Sequence, residues 1–178
     1  VYWLKVYEVP QGSRTSRGKP IVNLMQIEEH EKINAVLSVK EFDENHFVFM
    51  ATQLGTVKKT PLTDFSIPRK AGIIAVDLDE GDRLIGVAIT DGKHDVMLFS
   101  DEGKAVRFDE NDVRPMGRNA RGVRGMRLTI DGKVIALLVA ENEEQSVLTA
   151  TEKGYGKRTS ITEYTRHGRG TKGMIAIQ

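Results

Sequence analysis

The chain has 178 residues, 39% of them hydrophobic and 29% charged, which is an ordinary globular composition and enough length to bury a core without covalent staples. It contains no cysteine, which excludes a disulfide scaffold and a thiolate metal centre. Twenty-six Lys and Arg against 25 Asp and Glu leave a net charge of +1, so bulk charge selects no partner.

The chain opens inside an apolar and aromatic run, Val1-Tyr2-Trp3-Leu4, and stops inside another, Met174 to Gln178. With no initiator Met, it reads as a piece excised from a longer protein, and a core drawing on its ends is expected to be incomplete. No basic-then-apolar leader is present, and no stretch approaches the roughly 20 apolar residues of a membrane helix, so neither a signal peptide nor a membrane partner is expected.

From there the sequence repeats. Apolar runs begin at Ile33, Leu84 and Val134, spaced 51 and 50 residues apart. Second runs begin at Phe47, Val96 and Val147, each followed by a turn glycine at Gly55, Gly103 or Gly154. After each glycine comes a short run ending in bases: Thr56-Val57-Lys58-Lys59, Lys104-Ala105-Val106-Arg107, and Tyr155-Gly156-Lys157-Arg158. Val1-Tyr2-Trp3 fits the same slot of an earlier repeat. An acid-apolar pair follows in all four, at Glu8-Val9, Asp64-Phe65, Asp112-Val113 and Glu163-Tyr164. A basic, glycine-bearing loop then leads to a further predicted strand at Ile21-Val22, Ile73–Val76, Met126–Leu128 and Met174–Ile177.

The runs are rich in Val, Ile, Leu and Phe and too short for helices, and Gly-containing turns separate them. The fold class is therefore all-β, an incomplete propeller-like array of four-stranded blades with a period near 50 residues. The cuts fall at 1–45 (partial blade), 46–94 (blade), 95–144 (blade) and 145–178 (partial blade). A β-sandwich with accidental periodicity is the alternative, but three marker series staying in step argue against it.

The near-zero net charge hides a segregation. Segments 1–20, 55–72, 104–127 and 153–172 hold 21 of the 26 Lys and Arg but only 6 of the 25 Asp and Glu. The acids gather in other connections, at Glu28–Glu31, Asp77–Asp82 and Glu141–Glu144. If the repeats stack around an axis, equivalent loops share one rim. The rim would then carry Arg14, Arg17, Lys19, Lys58, Lys59, Arg69, Lys70, Arg107, Arg114, Arg118, Arg121, Arg124, Lys157, Arg158, Arg166, Arg169 and Lys172. Such a track suits a phosphodiester backbone, because cations displace condensed counterions and the arginine fork matches phosphate oxygens. Asn, Gln and aromatic side chains are sparse in it, and Tyr155, Tyr164 and Phe108 are expected in core slots. A curved, base-blind rim implies double-stranded DNA bent around it. An acidic protein surface is the competing partner.

Other motifs carry little. Gly168 to Gly173 matches G-x-G-x-x-G, but a strand rather than a helix is predicted to follow it. Gly122-Val123-Arg124-Gly125 resembles a GXXG clamp without the helices that module needs. No Walker A pattern occurs, the four histidines lie far apart without metal-ligand spacing, and no nucleophile-base set can be drawn. Neither Tyr155 nor Tyr164 has the acidic metal site that a DNA-cleaving tyrosine needs. No catalytic or metal-binding residue is assigned.

Several stretches do resemble a known family. Gly55-Thr56-Val57-Lys58-Lys59-Thr60, Val96–Ser100, Gly122–Gly125, and above all Leu148–Thr151 through Gly154–Thr159 with Thr171-Lys172-Gly173 resemble the C-terminal domain of the A subunit of bacterial DNA gyrase, over the whole chain. The resemblance implies a β-pinwheel, a ring or spiral whose blades exchange strands with their neighbours. It also implies DNA wrapping that supports ATP-dependent negative supercoiling in the cytoplasm, at the nucleoid. The implied partners are double-stranded DNA, the N-terminal part of the same polypeptide and the gyrase B subunit in an A2B2 holoenzyme. The catalytic tyrosine, ATP and Mg2+ would lie in other domains, with no cofactor in this chain. The family's glycine- and arginine-rich box is not found in these residues. The related pinwheel in the A subunit of topoisomerase IV is the nearest rival, and a protein-interaction propeller is the reading from a different class.

Overall fold

The structure, a computed structural model, describes residues 1–177. Hairpins form where a positive-φ glycine turns the chain between two apolar runs. Strands β1 (Phe47–Thr52) and β2 (Thr56–Pro61) meet around Gly55, β4 (Asp95–Ser100) and β5 (Lys104–Asp109) around Gly103, and β8 (Ser146–Ala150) and β9 (Gly156–Ser160) around Gly154. Between them run β3 (Leu84–Thr90), β6 (Val123–Arg124) and β7 (Val134–Ala140), and β10 (Met174–Ile175) comes last.

Two four-stranded antiparallel sheets result, ordered β3-β1-β2-β6 and β10-β5-β4-β7, with β8-β9 as a two-stranded third. In each complete sheet the hairpin takes the next strand of its own repeat on one side. On the other side it takes a strand that the chain supplies only after the following hairpin. The blades therefore exchange strands, as the family resemblance implies. The hairpins open at Phe47, Asp95 and Ser146, and each complete sheet reaches past the following hairpin for its last strand.

The crossing is fastened the same way each time. Backbone N–H groups of Gly125 and Met126 donate to the Gly55 carbonyl at 2.8 and 3.3 Å, and those of Ala176 and Ile177 donate to the Gly103 carbonyl at 2.8 and 3.2 Å. Val1 and Ile73 exchange reciprocal hydrogen bonds of 2.7 and 3.0 Å. Val1-Tyr2-Trp3 thus occupies the slot of β2 and β5 for an earlier repeat.

Successive sheets pack face to face, so their central strands are buried on both sides and read as unbroken apolar runs. One core cluster joins Phe49 and Val57 of the first sheet to Val96, Leu98 and Phe108 of the second. Another joins Met97 and Phe99 to Val147, Ile161 and Tyr164 of the third unit. Strands β3 and β7 pack against each other, and a Cβ on Gly86 would lie 2.6 Å from Leu137 Cβ. They form the inner side of the array, which leaves β6 and β10 as its outer edges. The acid-apolar pairs each close a 3-10 turn, over Val6–Glu8, Leu62–Phe65, Glu110–Asp112 and Ile161–Glu163.

Four strand expectations change, one of them at Ile73–Val76, which forms no strand although Ile73 exchanges backbone hydrogen bonds with Val1. Residues 33–39 form no strand, because their counterparts β3 and β7 join the hairpin that opens their own repeat, and that hairpin is not among these residues. Ile21–Asn23 forms a 3-10 turn. The strand expected at Met126–Leu128 lies earlier, at Val123–Arg124, with Met126 reduced to an isolated bridge to Thr171. Phe108 and Tyr164 take core positions, whereas Tyr155 is 74% exposed on the last hairpin.

Candidate nucleic-acid interface

Three of the cations expected on the rim are interior. Lys58 and Lys59 are each 1% exposed and Arg107 is 6% exposed. Lys59 lies opposite Phe49 across the first hairpin, and Arg107 lies opposite Met97 across the second. Lys59 Nζ sits 2.9 Å from Glu110 Oε2, donates to Asn111 Oδ1 at 3.1 Å and rests over the Phe47 ring. Arg107 donates from Nε to Asp95 Oδ2 at 2.6 Å, from Nη1 to the Ile161 and Tyr164 carbonyls, and from Nη2 to Glu143 Oε1 at 3.0 Å. In both cases the target is the 3-10 turn of the following repeat. Trp3 holds the same slot one repeat earlier, and its Nε1 donates to the Phe65 carbonyl at 2.8 Å. Position four after the turn glycine is therefore a fastener between repeats, filled by Trp3, Lys59 and Arg107 in turn.

Lys58 clasps two loops, donating from Nζ to the Ala75 carbonyl at 2.8 Å and to the Arg118 carbonyl. Burial, and secondarily the Arg118 charge, hold its ammonium pKa below the usual lysine range. None of these three side chains has surface to offer a phosphate.

Most of the expected cations that remain at the surface lie along the outer edge. Phe65, Val113 and Tyr164 end equivalent 3-10 turns. From each the chain runs along the preceding sheet to a positive-φ glycine, Gly72, Gly122 or Gly173, and then into the crossing segment. A Cβ at Gly122 would lie 2.5 Å from the Val57 carbonyl, so the turn can press against the sheet only as glycine. Along these paths lie Arg69 and Lys70 in the first loop, Arg114, Arg118, Arg121 and Arg124 in the second, and Arg166, Arg169 and Lys172 in the third.

The three loops touch in sequence. Arg118 Nη1 donates to the Ile74 carbonyl at 3.2 Å, and Arg169 Nη1 donates to the Arg124 carbonyl at 3.1 Å. The two arginines are equivalent, as are the two carbonyls, so one stitch recurs one repeat apart. Arg169 Nε also donates to the Asp112 carbonyl at 2.9 Å. The cleft between the first two loops is lined by Thr63, Ser66, Arg69, Arg118 and Asn119, among others. Basic loops of successive repeats thus form a continuous edge.

The other expected residues divide. Arg14, Arg17 and Lys19 lie on exposed coil and make no hydrogen bond or ion pair with the three loops among the described residues. Lys157 and Arg158 are exposed on β9. Arg166 pairs with Asp95 at 2.6 Å, which raises its guanidinium pKa further, and lies 3.6 Å from Asp109. Arg121 lies 3.4 Å from Asp77 and 3.6 Å from Asp79, so the acidic 77–82 loop shares its charge. Residues overlooked in the sequence are Arg127, exposed beside Arg124, and the hydroxyls of Thr63 and Ser66 in the cleft.

The structure also brings Asp91, His94 and Glu110 together, with one ligand atom of each within 4.8 Å of the others. Lys59 already neutralises Glu110. The Asp91–His94 contact of 3.0 Å recurs as Asp43–His46 at 2.7 Å, where Leu62 stands in the place of Glu110. This is a recurring turn cap, and in the earlier repeat its histidine holds the Asp43 carboxyl below the usual range.

Comparison with known proteins follows the same register. A family model described as "DNA gyrase C-terminal domain, beta-propeller" matches residues 1–40, 46–91, 94–141 and 145–178. The chain belongs to this family. Among relatives of this gyrase C-terminal domain, the DNA gyrase A subunit of Klebsiella oxytoca is 56% identical over 178 residues, and that of Escherichia coli strain K12 is 53% identical. Each match covers all of this chain and 20% of the relative, so the gyrase domain chain spans about a fifth of the length of those proteins. Among solved structures, the C-terminal domain of DNA topoisomerase IV superposes with a TM-score of 0.87 at 28% identity, covering 96% of this chain and 53% of that one. The DNA gyrase A C-terminal domain superposes with a TM-score of 0.82 at 26% identity, covering 97% of this chain and 55% of that one.

Proposed function

We propose that this domain holds double-stranded DNA against its outer edge, without reading sequence, and bends it around successive repeats. In this reading it serves a cytoplasmic, nucleoid-associated DNA gyrase, an A2B2 assembly with the N-terminal part of its own polypeptide and with the B subunit. The chain's own residues bind and curve the duplex. Cleavage, ATP and Mg2+ belong to the rest of the holoenzyme, whose strand passage would turn the captured crossing into negative supercoils.

The observation that carries this is the stitched register of the outer loops. Arg118 and Arg169 fix the spacing of successive cationic loops, and Arg121, Arg124, Arg127 and Lys172 project beside them. A stiff duplex is curved at a cost of several kcal/mol, which requires many phosphate contacts at repeating intervals. An edge that repeats once per blade supplies them. Glycines at the crossing points keep the main chain close to the surface.

A salt titration of duplex affinity tests the reading. The logarithmic slope should be about −0.9 for each phosphate contacted. Reversing Arg121, Arg124 and Lys172 to Glu should weaken binding and flatten the slope by about two to three such increments. An unchanged slope removes the outer edge as the site. The topoisomerase IV reading draws on the TM-score of 0.87, but identities of 56% and 53% to gyrase A subunits favour gyrase. Negative supercoiling by the reconstituted holoenzyme separates the two.

A further inference from the structure

We propose that Arg158 is a fastener between repeats, bonding the 3-10 turn of the repeat that packs on the β8–β9 hairpin, and is not a phosphate contact. Arg158 lies opposite Leu148 across its hairpin, as Arg107 lies opposite Met97 and Lys59 opposite Phe49. In the two complete sheets both members of that pair are buried: Phe49, Met97 and Lys59 are at most 1% exposed and Arg107 6%. In the third hairpin Leu148 is 76% exposed and Arg158 is exposed with it. A matched apolar and cationic pair is thus present without its cover among the described residues.

The equivalent pairs show what the cover is. Arg107 donates to the Ile161 and Tyr164 carbonyls of the next repeat's 3-10 turn, and Lys59 likewise reaches Glu110 and Asn111 in the 3-10 turn of the repeat that follows it. The hairpin edge is open as well: among the described residues, β8 has no neighbour on the side where β1 takes β3 and β4 takes β7. By the same pattern the strand for β8 belongs to its own repeat, whereas the apolar face for Leu148 and the 3-10 turn with carbonyls for Arg158 belong to the repeat that follows. The homologous gyrase A domain has room for it, since this chain covers only 55% of that chain. Lys157 takes the slot of Lys58 and would clasp the loop of the incoming repeat.

This assignment removes Arg158 from the phosphate track and does not depend on DNA binding. The test uses the full-length protein carrying Arg158→Ala, Arg158→Trp or, as a control, Arg124→Ala. Arg158→Ala should lower the unfolding midpoint of the C-terminal domain by roughly 5 °C and leave the salt slope for duplex affinity unchanged. Arg158→Trp deletes the charge but keeps an N–H donor, as Trp3 does, and should hold the midpoint within about 1 °C. Arg124→Ala should do the opposite of Arg158→Ala, flattening the slope by about 0.9 at a constant midpoint. Amide exchange gives a readout without any variant: the backbone of Ser146–Ala150 should be protected in the full-length protein. An Arg158→Ala variant that flattens the slope at an unchanged midpoint would overturn the proposal, as would loop-like exchange along β8. If the wild-type protein fails to bind duplex at all, the proposed function falls while the midpoints still decide the role of Arg158.

Discussion

Residues 134–140 and residues 33–39 carry the same kind of apolar run, VIALLVA and INAVLSV, yet only the first is a strand. Strand β7 pairs with β4 over its whole length, whereas Val36 is 87% exposed and Ile33 46% exposed on irregular chain. The β8–β9 hairpin makes the complementary case, with a formed hairpin and no third strand among the described residues. In this fold a strand is a property of the face that receives it. An isolated run has nothing to offset the entropy of ordering its backbone. Stability is therefore built at the junctions between repeats, which is the expected behaviour of a repeat array.

The junction between the two complete sheets can be broken at one side chain. Replacing Lys59 with Met strands the Glu110 carboxylate, which is fully buried and, among the described residues, keeps only the His94 N–H as a donor. Urea unfolding should show a loss of about 3–5 kcal/mol, the usual cost of orphaning one member of a buried pair. The neighbouring repeats name the rescue, because Leu62 and Ile161 stand where Glu110 does. A Lys59→Met, Glu110→Leu double variant should recover most of the loss. A double variant no better than the single would mean that the pair does more than fill its slot.

That pair shows how far the sequence could be read. The period, the turn glycines and the acid-apolar pairs place every complete hairpin, because each is a local signal repeated in register. The burial of Lys58, Lys59 and Arg107 is not local. Lys59 and Glu110 are 51 positions apart, and nothing beside either residue marks it as interior. Register supplies the missing signal: an indole at Trp3 in the same slot, and leucine or isoleucine where Glu110 stands, mark both positions as core. The outer edge was legible as a cluster of cations, since solvated loops need no partner. Its stitches were not, since Arg118 and Arg169 bond to carbonyls, which every residue carries.

The turn glycines sharpen the contrast between closed and open repeats at smaller cost. Gly103 and Gly154 have similar positive φ values, +71 and +82. A Cβ on Gly103 would collide with the Ile177 carbonyl of the crossing segment, whereas a Cβ on Gly154 meets nothing within 4 Å among the described residues. In the 178-residue chain alanine at Gly154 should therefore cost only the left-handed backbone term, about 1–2 kcal/mol. Alanine at Gly103 should cost a further ~1–3 kcal/mol for the displaced strand. Equal losses in urea unfolding would show that the crossing segment is not clamped at the turn.

The smallest expected effect is a pH dependence at Lys58. Its folded pKa lies below the ordinary lysine value of 10.5, chiefly through burial. Between the folded and unfolded values the unfolded chain therefore binds more protons than the native one, and stability from this group rises with pH. Near neutrality the buried ammonium imposes its full desolvation cost, offset by bonds to the Ala75 and Arg118 carbonyls. Toward pH 10.5 the side chain sheds its proton in the native state and still donates two N–H groups. The stability of wild type relative to Lys58→Met should thus increase as pH rises from neutrality toward 10.5, measured by urea unfolding at each pH. A relative stability that falls over that range would mean that the two loops are held by the charge of Lys58 rather than by its hydrogen bonds.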